Sequence, residues 1–230
     1  VENYFKFVAE EVRETMAQIG IRKFDELIGK VGFLEGKEAV DHWKASGLDV
    51  SKILFKPDVD ESVKRVTQNL WKESGKPIIV DATALDWLPV TIGASDAPRI
   101  ITPHPGEAAR LLGCSIDQVQ QERAKSARDL AVRYQATVLL KGRHTIIAQA
   151  EGPILINSTG NPGLAQGGSG DVLAGYLGGL MAQTEFADKA IQASAYSAWK
   201  HGHCADILDI SNSYWGMDEL IQELGRNEFH

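Results

Sequence analysis

The residues best suited to phosphate chemistry lie in one glycine-rich stretch, Asn157–Asp171, with the sequence NSTGNPGLAQGGSGD. Five of its fifteen residues are glycine, and an apolar, helix-forming stretch follows directly. Glycines let main-chain N–H groups approach an anion closely, and a helix N-terminus adds partial positive charge. The stretch therefore predicts an anion-binding turn whose donors are the amides of Gly168, Ser169 and Gly170.

Asp171 closes this stretch, in the first turn of the predicted helix. A carboxylate beside a phosphate repels it, so its presence needs a chemical reason. The useful reason is general-base chemistry, in which Asp171 accepts the proton of a hydroxyl that attacks a phosphoryl group. The alternative is a carboxylate that only caps the helix and interacts with its dipole. The stretch lacks the Gly-Lys-Ser/Thr ending of a P-loop, and it is not a dinucleotide fingerprint.

Two further motifs each follow a predicted strand. In Thr102–Glu107 (TPHPGE), His104 is a candidate to hydrogen-bond a substrate and Glu107 a candidate ligand of Mg²⁺ through water. The alternative is that Glu107 only caps its helix. The second motif is predicted to contact nucleotide phosphates, unless it is a plain surface hairpin; its residues are Lys141, Gly142, Arg143, His144 and Thr145. Asp81 and Asp86 also follow a strand and are weaker candidates for the same crevice.

The elements that must position these motifs alternate between strands and helices. Short apolar runs predict strands at 78–80, 99–102, 137–140, 145–148 and 154–156. Helices are predicted at 62–74, after Pro103–Glu107 through Leu112, and at 117–134, 170–181 and 187–208. This alternation predicts an α/β fold with a largely parallel sheet flanked by helices. Open sheets of this kind bind ligands at the carboxyl ends of their strands.

The N-terminal part has a different pattern. Phe5, Val8, Val12, Met16 and Ile19 are spaced three or four residues apart, which predicts an amphipathic helix ending at Gly20. A second short helix is predicted at 23–29. Pro57 and the acidic residues after it indicate a boundary between a helical segment, 1–57, and an α/β domain, 58–230.

Composition excludes several classes of function. With 24 Lys+Arg against 31 Asp+Glu, the formal net charge of the 230 residues is −7, which argues against binding to nucleic acid or to an anionic membrane. The two cysteines are too few for a disulfide scaffold. No signal peptide or membrane span is recognisable. We therefore expect a cytoplasmic protein.

Together, Thr102–Glu107, Lys141-Gly142 and Asn157–Asp171 resemble the ADP/ATP-dependent NAD(P)H-hydrate dehydratases, ribokinase-like enzymes that repair hydrated nicotinamide cofactors. The resemblance covers residues 62–225. It implies a ribokinase-like fold, with ADP or ATP and Mg²⁺ as cofactors and hydrated NADH or NADPH as substrate. By this resemblance, residues 141–145 and Gly170 contact the nucleotide, and His104 and Asp171 contact the hydrate.

Residues 1–57 do not resemble that family. The segments Val1–Met16, Phe24–Gly29 and Asp41–Asp49 are similar to a piece of the large chain of glutamate synthase. They stand where the dehydratase family has its first βα units, one of which helps to form the substrate pocket. The two resemblances together predict a chimera whose α/β domain is truncated on its N-terminal side.

Three functions remain compatible with the sequence. The leading one is nucleotide-dependent dehydration of hydrated NAD(P)H, by phosphorylation of the hydrate hydroxyl and elimination of phosphate. The first alternative is a ribokinase-like kinase for a small alcohol, because the Gly-Ser-Gly-Asp element serves both reactions. The second is an inactive fused or engineered scaffold that retains the motifs. Assembly into a homo-oligomer is left open.

Overall fold

The computed structural model describes residues 2–18, 20–22, 61–90, 96–211 and 214–226. The chain divides into two compact units, Val1–Val59 and Asp60–His230. In the first unit, helix α1 spans Glu2–Gln18. Gly20 follows it with a left-handed φ of +75°, as expected for a glycine that ends a helix. The second predicted helix, at 23–29, lies outside the described residues.

The second unit contains five strands and seven α-helices among its described residues. The helices are α2 (Glu61–Glu73), α3 (Pro105–Leu112), α4 (Ile116–Gln121), α5 (Arg123–Tyr134), α6 (Ser169–Met181), α7 (Ala190–Ser211) and α8 (Met217–Leu224). The strands are β1 (Ile78–Val80), β2 (Arg99–Ile101), β3 (Thr137–Leu140), β4 (Ile146–Ala148) and β5 (Leu155–Ile156). The described part of the unit also contains two 3₁₀ helices, Ala82–Trp87 and Pro162–Leu164. None of the described helices is long and apolar enough to cross a membrane.

The five strands form one sheet in the order β1-β2-β3-β4-β5. The first three are parallel, with Val80 opposite Ile101 and Ile101 opposite Val138. The pairs β3–β4 and β4–β5 are antiparallel. The link from β3 to β4 is only the short segment 141–145, and so short a link cannot make the crossover that parallel strands need. The sheet is therefore mixed, and its parallel part consists of the three strands that carry predicted site residues at their ends.

Alternate residues of the strands face two different cores, which gives the second unit three layers. Ile101, Val138 and Leu140 pack with α3, α4 and α5 on one face of the sheet. Ile100 and Leu139 pack with α6 and α7 on the other face. This alternation follows from the two-residue period of a strand. The prediction of an α/β fold with helices flanking the sheet is confirmed.

One predicted helix is wrong in its continuity. The pattern at 117–134 predicts a single helix, but the structure breaks it at Glu122, where φ is −125° and ψ is +48°. The amphipathic pattern runs through the break, so periodicity alone does not reveal it. The consequence is that Arg123 stands at the start of a new helix.

Candidate functional site

The predicted motifs meet at the carboxyl ends of the three parallel strands. The amide of Lys141, after β3, donates to the carbonyl of Pro103, after β2, at 2.8 Å. The amide of Thr102 in turn donates to the carbonyl of Val80, the last residue of β1, at 3.2 Å. Backbone hydrogen bonds therefore fix the starts of the two strand-following motifs side by side, at the edge where open sheets bind ligands.

An ion pair connects this edge to the glycine-rich stretch. Lys141 Nζ lies 2.7 Å from Asp81 Oδ1, and both side chains are less than one-fifth exposed. A Cβ built on Gly170 would lie 3.3 Å from Lys141 Nζ and 3.7 Å from Asp81 Oδ2. Glycine at this position thus lets the first turn of α6 approach the pair closely. An ammonium group has three N–H donors. Asp81 therefore orients the Lys141 side chain through one of them, and the others can donate to a phosphate.

The turn before α6 has the geometry of an anion site. Gly168 is the N-cap residue, and its φ of +91° favours glycine. The Ser169 amide donates to the carbonyl of Gln166 at 3.3 Å, whereas no acceptor is found for the amides of Gly168 and Gly170 among the described residues. Two of the three predicted amide donors are thus available. They lie at the positive end of the helix dipole.

Asp171 follows this turn and is exposed. Within the described part of the chain it forms no hydrogen bond or ion pair, and it caps no main-chain group. The structure thus gives no support for side-chain capping as the role of Asp171. A carboxylate without a partner, one residue beyond an anion-binding turn, is available to accept a proton from a bound hydroxyl.

The segment 141–145 is a tight turn. Gly142 has a φ of +133° and His144 a φ of +56°. Thr145 Oγ1 donates to the carbonyl of Gly142 at 3.0 Å, which closes the turn. Arg143 and His144 are exposed, and neither side chain takes part in an ion pair with another described residue. Their polar groups are therefore free to contact a nucleotide.

His104 and Glu107 form a reciprocal cap at the start of α3. His104 Nδ1 accepts hydrogen bonds from the amides of Gly106, at 3.0 Å, and Glu107, at 3.3 Å. Glu107 Oε2 accepts from the His104 amide at 2.7 Å. Because Nδ1 is an acceptor, the ring proton is on Nε2, and the ring is about half exposed. His104 can therefore donate to a substrate.

The same cap bears on the predicted metal role of Glu107. Its side chain is buried, and its second oxygen lies 3.4 Å from His104 Nε2. The capping alternative for Glu107 is thus present in the structure, and its role toward Mg²⁺ stays a prediction. No group of three or more metal-ligating side chains occurs among the described residues. Mg²⁺ commonly takes one or two carboxylates, with phosphate oxygens and water as the other ligands. A single carboxylate, that of Glu107, therefore fits an ion that arrives bound to a nucleotide.

Asp81 and Asp86 are separated by the structure. Asp81 lies in the site, paired with Lys141. Asp86 forms hydrogen bonds with Arg110 of α3, at 3.2 and 3.3 Å, and both side chains are exposed. Asp86 is thus paired with Arg110, whereas Asp81 is paired with Lys141. Both aspartates follow β1 in the sequence, so the sequence alone could not distinguish their positions.

His201 was not predicted as a site residue, although it lies beneath the anion-binding turn. It is buried in α7. Burial lowers its pKa to about 4, and a backbone hydrogen bond with Ser169 opposes this effect. No described group is hydrogen-bonded to its Nε2. The folded protein therefore holds His201 neutral against the first turn of α6.

The stability of the protein should reflect this neutral histidine. Unfolding restores the ordinary pKa of 6.5 to His201, so the unfolded chain binds the extra proton first as pH falls. The stabilisation that neutral His201 gives to the folded state is complete above pH 6.5 and is lost progressively as the pH falls toward 4. The expected loss is about 3 kcal/mol. Urea unfolding between pH 4 and 7 should show a steeper loss for wild type than for His201→Gln. Parallel curves would contradict the burial of a neutral imidazole.

Comparisons with known proteins can be set beside this geometry. A family profile described as NAD(P)H-hydrate dehydratase matches residues 58–225. The ADP-dependent (S)-NAD(P)H-hydrate dehydratase of Neisseria meningitidis is 41% identical over 144 residues, which cover 60% of this chain and 48% of the relative. A bifunctional NAD(P)H-hydrate repair enzyme of Escherichia coli is 41% identical over 133 residues, 58% of this chain and 25% of the relative.

The fold is also similar to that of a solved structure. The ADP/ATP-dependent NAD(P)H-hydrate dehydratase of Bacillus subtilis, co-crystallised with ATP and Mg²⁺, superposes with a TM-score of 0.65 at 34% identity. The match covers 72% of this chain and 60% of the Bacillus chain. The ribokinase-like fold is thereby confirmed. The chain spans about half the length of the Neisseria relative and less of the bifunctional ones. On the extent of the profile match, the chain belongs to the NAD(P)H-hydrate dehydratase family.

Proposed function

We propose that this chain dehydrates hydrated NADH or NADPH in a reaction driven by ADP or ATP. One observation carries the proposal: Asp171, exposed and without a partner among the described residues, directly follows an anion-binding turn that packs against Lys141. The Neisseria and Bacillus relatives are named for this activity, which supports the choice of substrate.

In the first step, the ring hydroxyl of the hydrate attacks the terminal phosphorus of the nucleotide. An oxygen–phosphorus bond forms, the bond to the bridging oxygen breaks, and AMP or ADP leaves. Asp171 accepts the hydroxyl proton as general base. The amides of Gly168 and Gly170 and the Lys141 ammonium stabilise the negative charge on the transferred group.

In the second step, the ring-nitrogen lone pair expels phosphate as the carbon–oxygen bond breaks. Transfer of a proton from the neighbouring ring carbon to the departing phosphate restores the double bond of NADH or NADPH. His104 donates through Nε2 to bind the hydrate, and residues 141–145 hold the nucleotide. Mg²⁺ bound with the nucleotide, with Glu107 as its predicted water-mediated ligand, would neutralise phosphate charge.

The decisive test supplies hydrated NADPH or NADH, Mg²⁺ and either ADP or ATP to the folded chain. We expect recovery of the absorbance of the reduced nicotinamide, with one phosphate released for each molecule restored. No recovery with either nucleotide would overturn the proposal. A stable phosphorylated alcohol without free phosphate would favour the small-alcohol kinase. Failure to bind either nucleotide in calorimetry would favour the inactive scaffold.

We further infer that residues 1–57 are a separate helical segment, and that residues 58–230 carry the chemistry. The family match begins at residue 58, which supports this division. Most of the segment lies outside the described residues, so its similarity to glutamate synthase stays a sequence prediction. A cytoplasmic location and assembly into a homo-oligomer are likewise proposals. Light scattering of the whole chain tests the assembly into a homo-oligomer.

A further inference from the structure

Arg123 lies outside every predicted motif, yet its guanidinium contacts the segment 141–145. It is the first residue of α5, directly after the break at Glu122. Its Nη2 donates to the carbonyls of Leu140, at 3.2 Å, and Lys141, at 3.3 Å. Its Nη1 donates to Gln120 Oε1 at 2.9 Å. The side chain therefore bridges the helix break and the end of β3.

The guanidinium also lies against Gly142. A Cβ built on Gly142 would be 3.1 Å from Nη1 and 3.2 Å from Nη2 of Arg123. Gly142 is thus glycine for two reasons, its φ of +133° and this close approach. The planar group covers the backbone at the point where the turn leaves the strand. It restrains the backbone of Lys141, whose side chain carries the ammonium group of the site.

The charges around Arg123 differ from those of a structural ion pair. Its three acceptors are neutral oxygens, and none of the described carboxylates forms an ion pair with it. Burial, which removes part of the water around the charge, lowers the pKa of its guanidinium. The three neutral acceptors offset the desolvation of this cation only in part, and an anion bound nearby would offset more of it. Beside a phosphate-binding turn, such a cation favours a bound anion.

We propose that Arg123 is a positioning residue for the nucleotide. It holds the backbone of Lys141 and Gly142 in the conformation that binds phosphate, and it adds positive potential there. The inference rests on the proposed function for the identity of the ligand. The restraint of the turn 141–145 is independent of the proposed function, because it can be measured without nucleotide.

Arg128 offers a matched control on the same helix. Like Arg123, it donates to two main-chain carbonyls, here those of Gln149 and Gly152, which lie in the turn between β4 and β5. Substituting either arginine thus removes a cation that anchors a turn to α5. Only the turn held by Arg123 belongs to the site. The variants to compare are Arg123→Met, Arg123→Lys and Arg128→Met.

Two measurements test the inference. Calorimetry with Mg²⁺ and ADP or ATP should show about tenfold weaker binding for Arg123→Met, partial rescue in Arg123→Lys and no change in Arg128→Met. Hydrogen exchange without nucleotide should be faster across 140–145 in Arg123→Met only. In turnover, the KM for the nucleotide should rise more than kcat falls.

The outcomes separate this inference from the proposed function. Wild-type affinity and wild-type exchange in Arg123→Met would overturn the positioning role. Equal weakening in Arg128→Met would overturn it too, because general loosening would then explain both variants. A wild-type chain that binds no nucleotide would overturn the proposed function and the ligand assigned here. In that case, the exchange at 140–145 alone decides whether Arg123 restrains the turn.

Discussion

Asp171→Asn is expected to lower the turnover of hydrated NAD(P)H by about 10²- to 10⁴-fold, the range that a general base contributes. The amide cannot accept the hydroxyl proton, but it has nearly the shape of the carboxylate. Since Asp171 has no partner among the described residues, the substitution breaks no contact in that part of the chain. Nucleotide affinity should be retained or increase slightly, because a negative charge next to the phosphates is removed.

Asp218→Asn is the matched control for this variant. Asp218 is also exposed and lies in the first turn of a helix, α8. Both substitutions should cost about 0.3–1 kcal/mol of stability through the helix dipole. Only Asp171→Asn should lose turnover in the coupled absorbance assay. Full activity in Asp171→Asn would show that another group takes the proton, and lost nucleotide binding would show that Asp171 has a binding role instead.

Gly202→Ala is expected to destabilise the second unit by about 2 kcal/mol, although alanine is the better helix former. Gly202 lies inside α7, where a new Cβ would meet Thr159 Oγ1 and would lie 2.7 Å from both the carbonyl carbon and the carbonyl oxygen of Thr159. The Thr159 hydroxyl donates to the Trp199 carbonyl at 2.9 Å, so the loop cannot retreat without losing this bond. The melting temperature should fall by about 5 °C.

The glycines of α6 provide the contrast for this prediction. Among the described residues, no atom lies within 4 Å of a Cβ built on Gly175 or Gly179. Gly175→Ala should therefore raise stability by about 0.5–1 kcal/mol, as in an ordinary helix. Thermal unfolding of the two variants side by side tests both signs. A stabilised Gly202→Ala would mean that the loop at Thr159 does not pack on α7 as described.

Local patterns were sufficient to predict the strands and the site turns. The runs at 78–80 and 137–140 are strands within one residue of their predicted bounds, since short apolar runs between turn residues suit buried strands. The glycine-rich stretch predicts both the turn and the start of α6. These features depend on residues that are neighbours in the sequence.

Features that depend on distant residues could not be predicted. The partner of Lys141 is Asp81, and nothing in the sequence distinguishes Asp81 from Asp86 until the strands are placed. Arg123 and His201 contact the site through the fold, and their own neighbours in the sequence form no motif. The helix break at Glu122 interrupts no hydrophobic period. Tertiary packing decides each of these features.

The ion pair between Asp81 and Lys141 has a consequence for how the site forms during folding. The two residues are 60 positions apart, and they follow the first and third strands of the parallel sheet. Closing a loop of that length costs chain entropy before any contact offsets it, and contacts of this kind form slowly. We therefore expect the edge that carries Asp81 and Lys141 to assemble late, after β1, β2 and β3 have associated. A partly folded chain in which β1 is not yet paired has no competent site, however well its glycine-rich turn is formed.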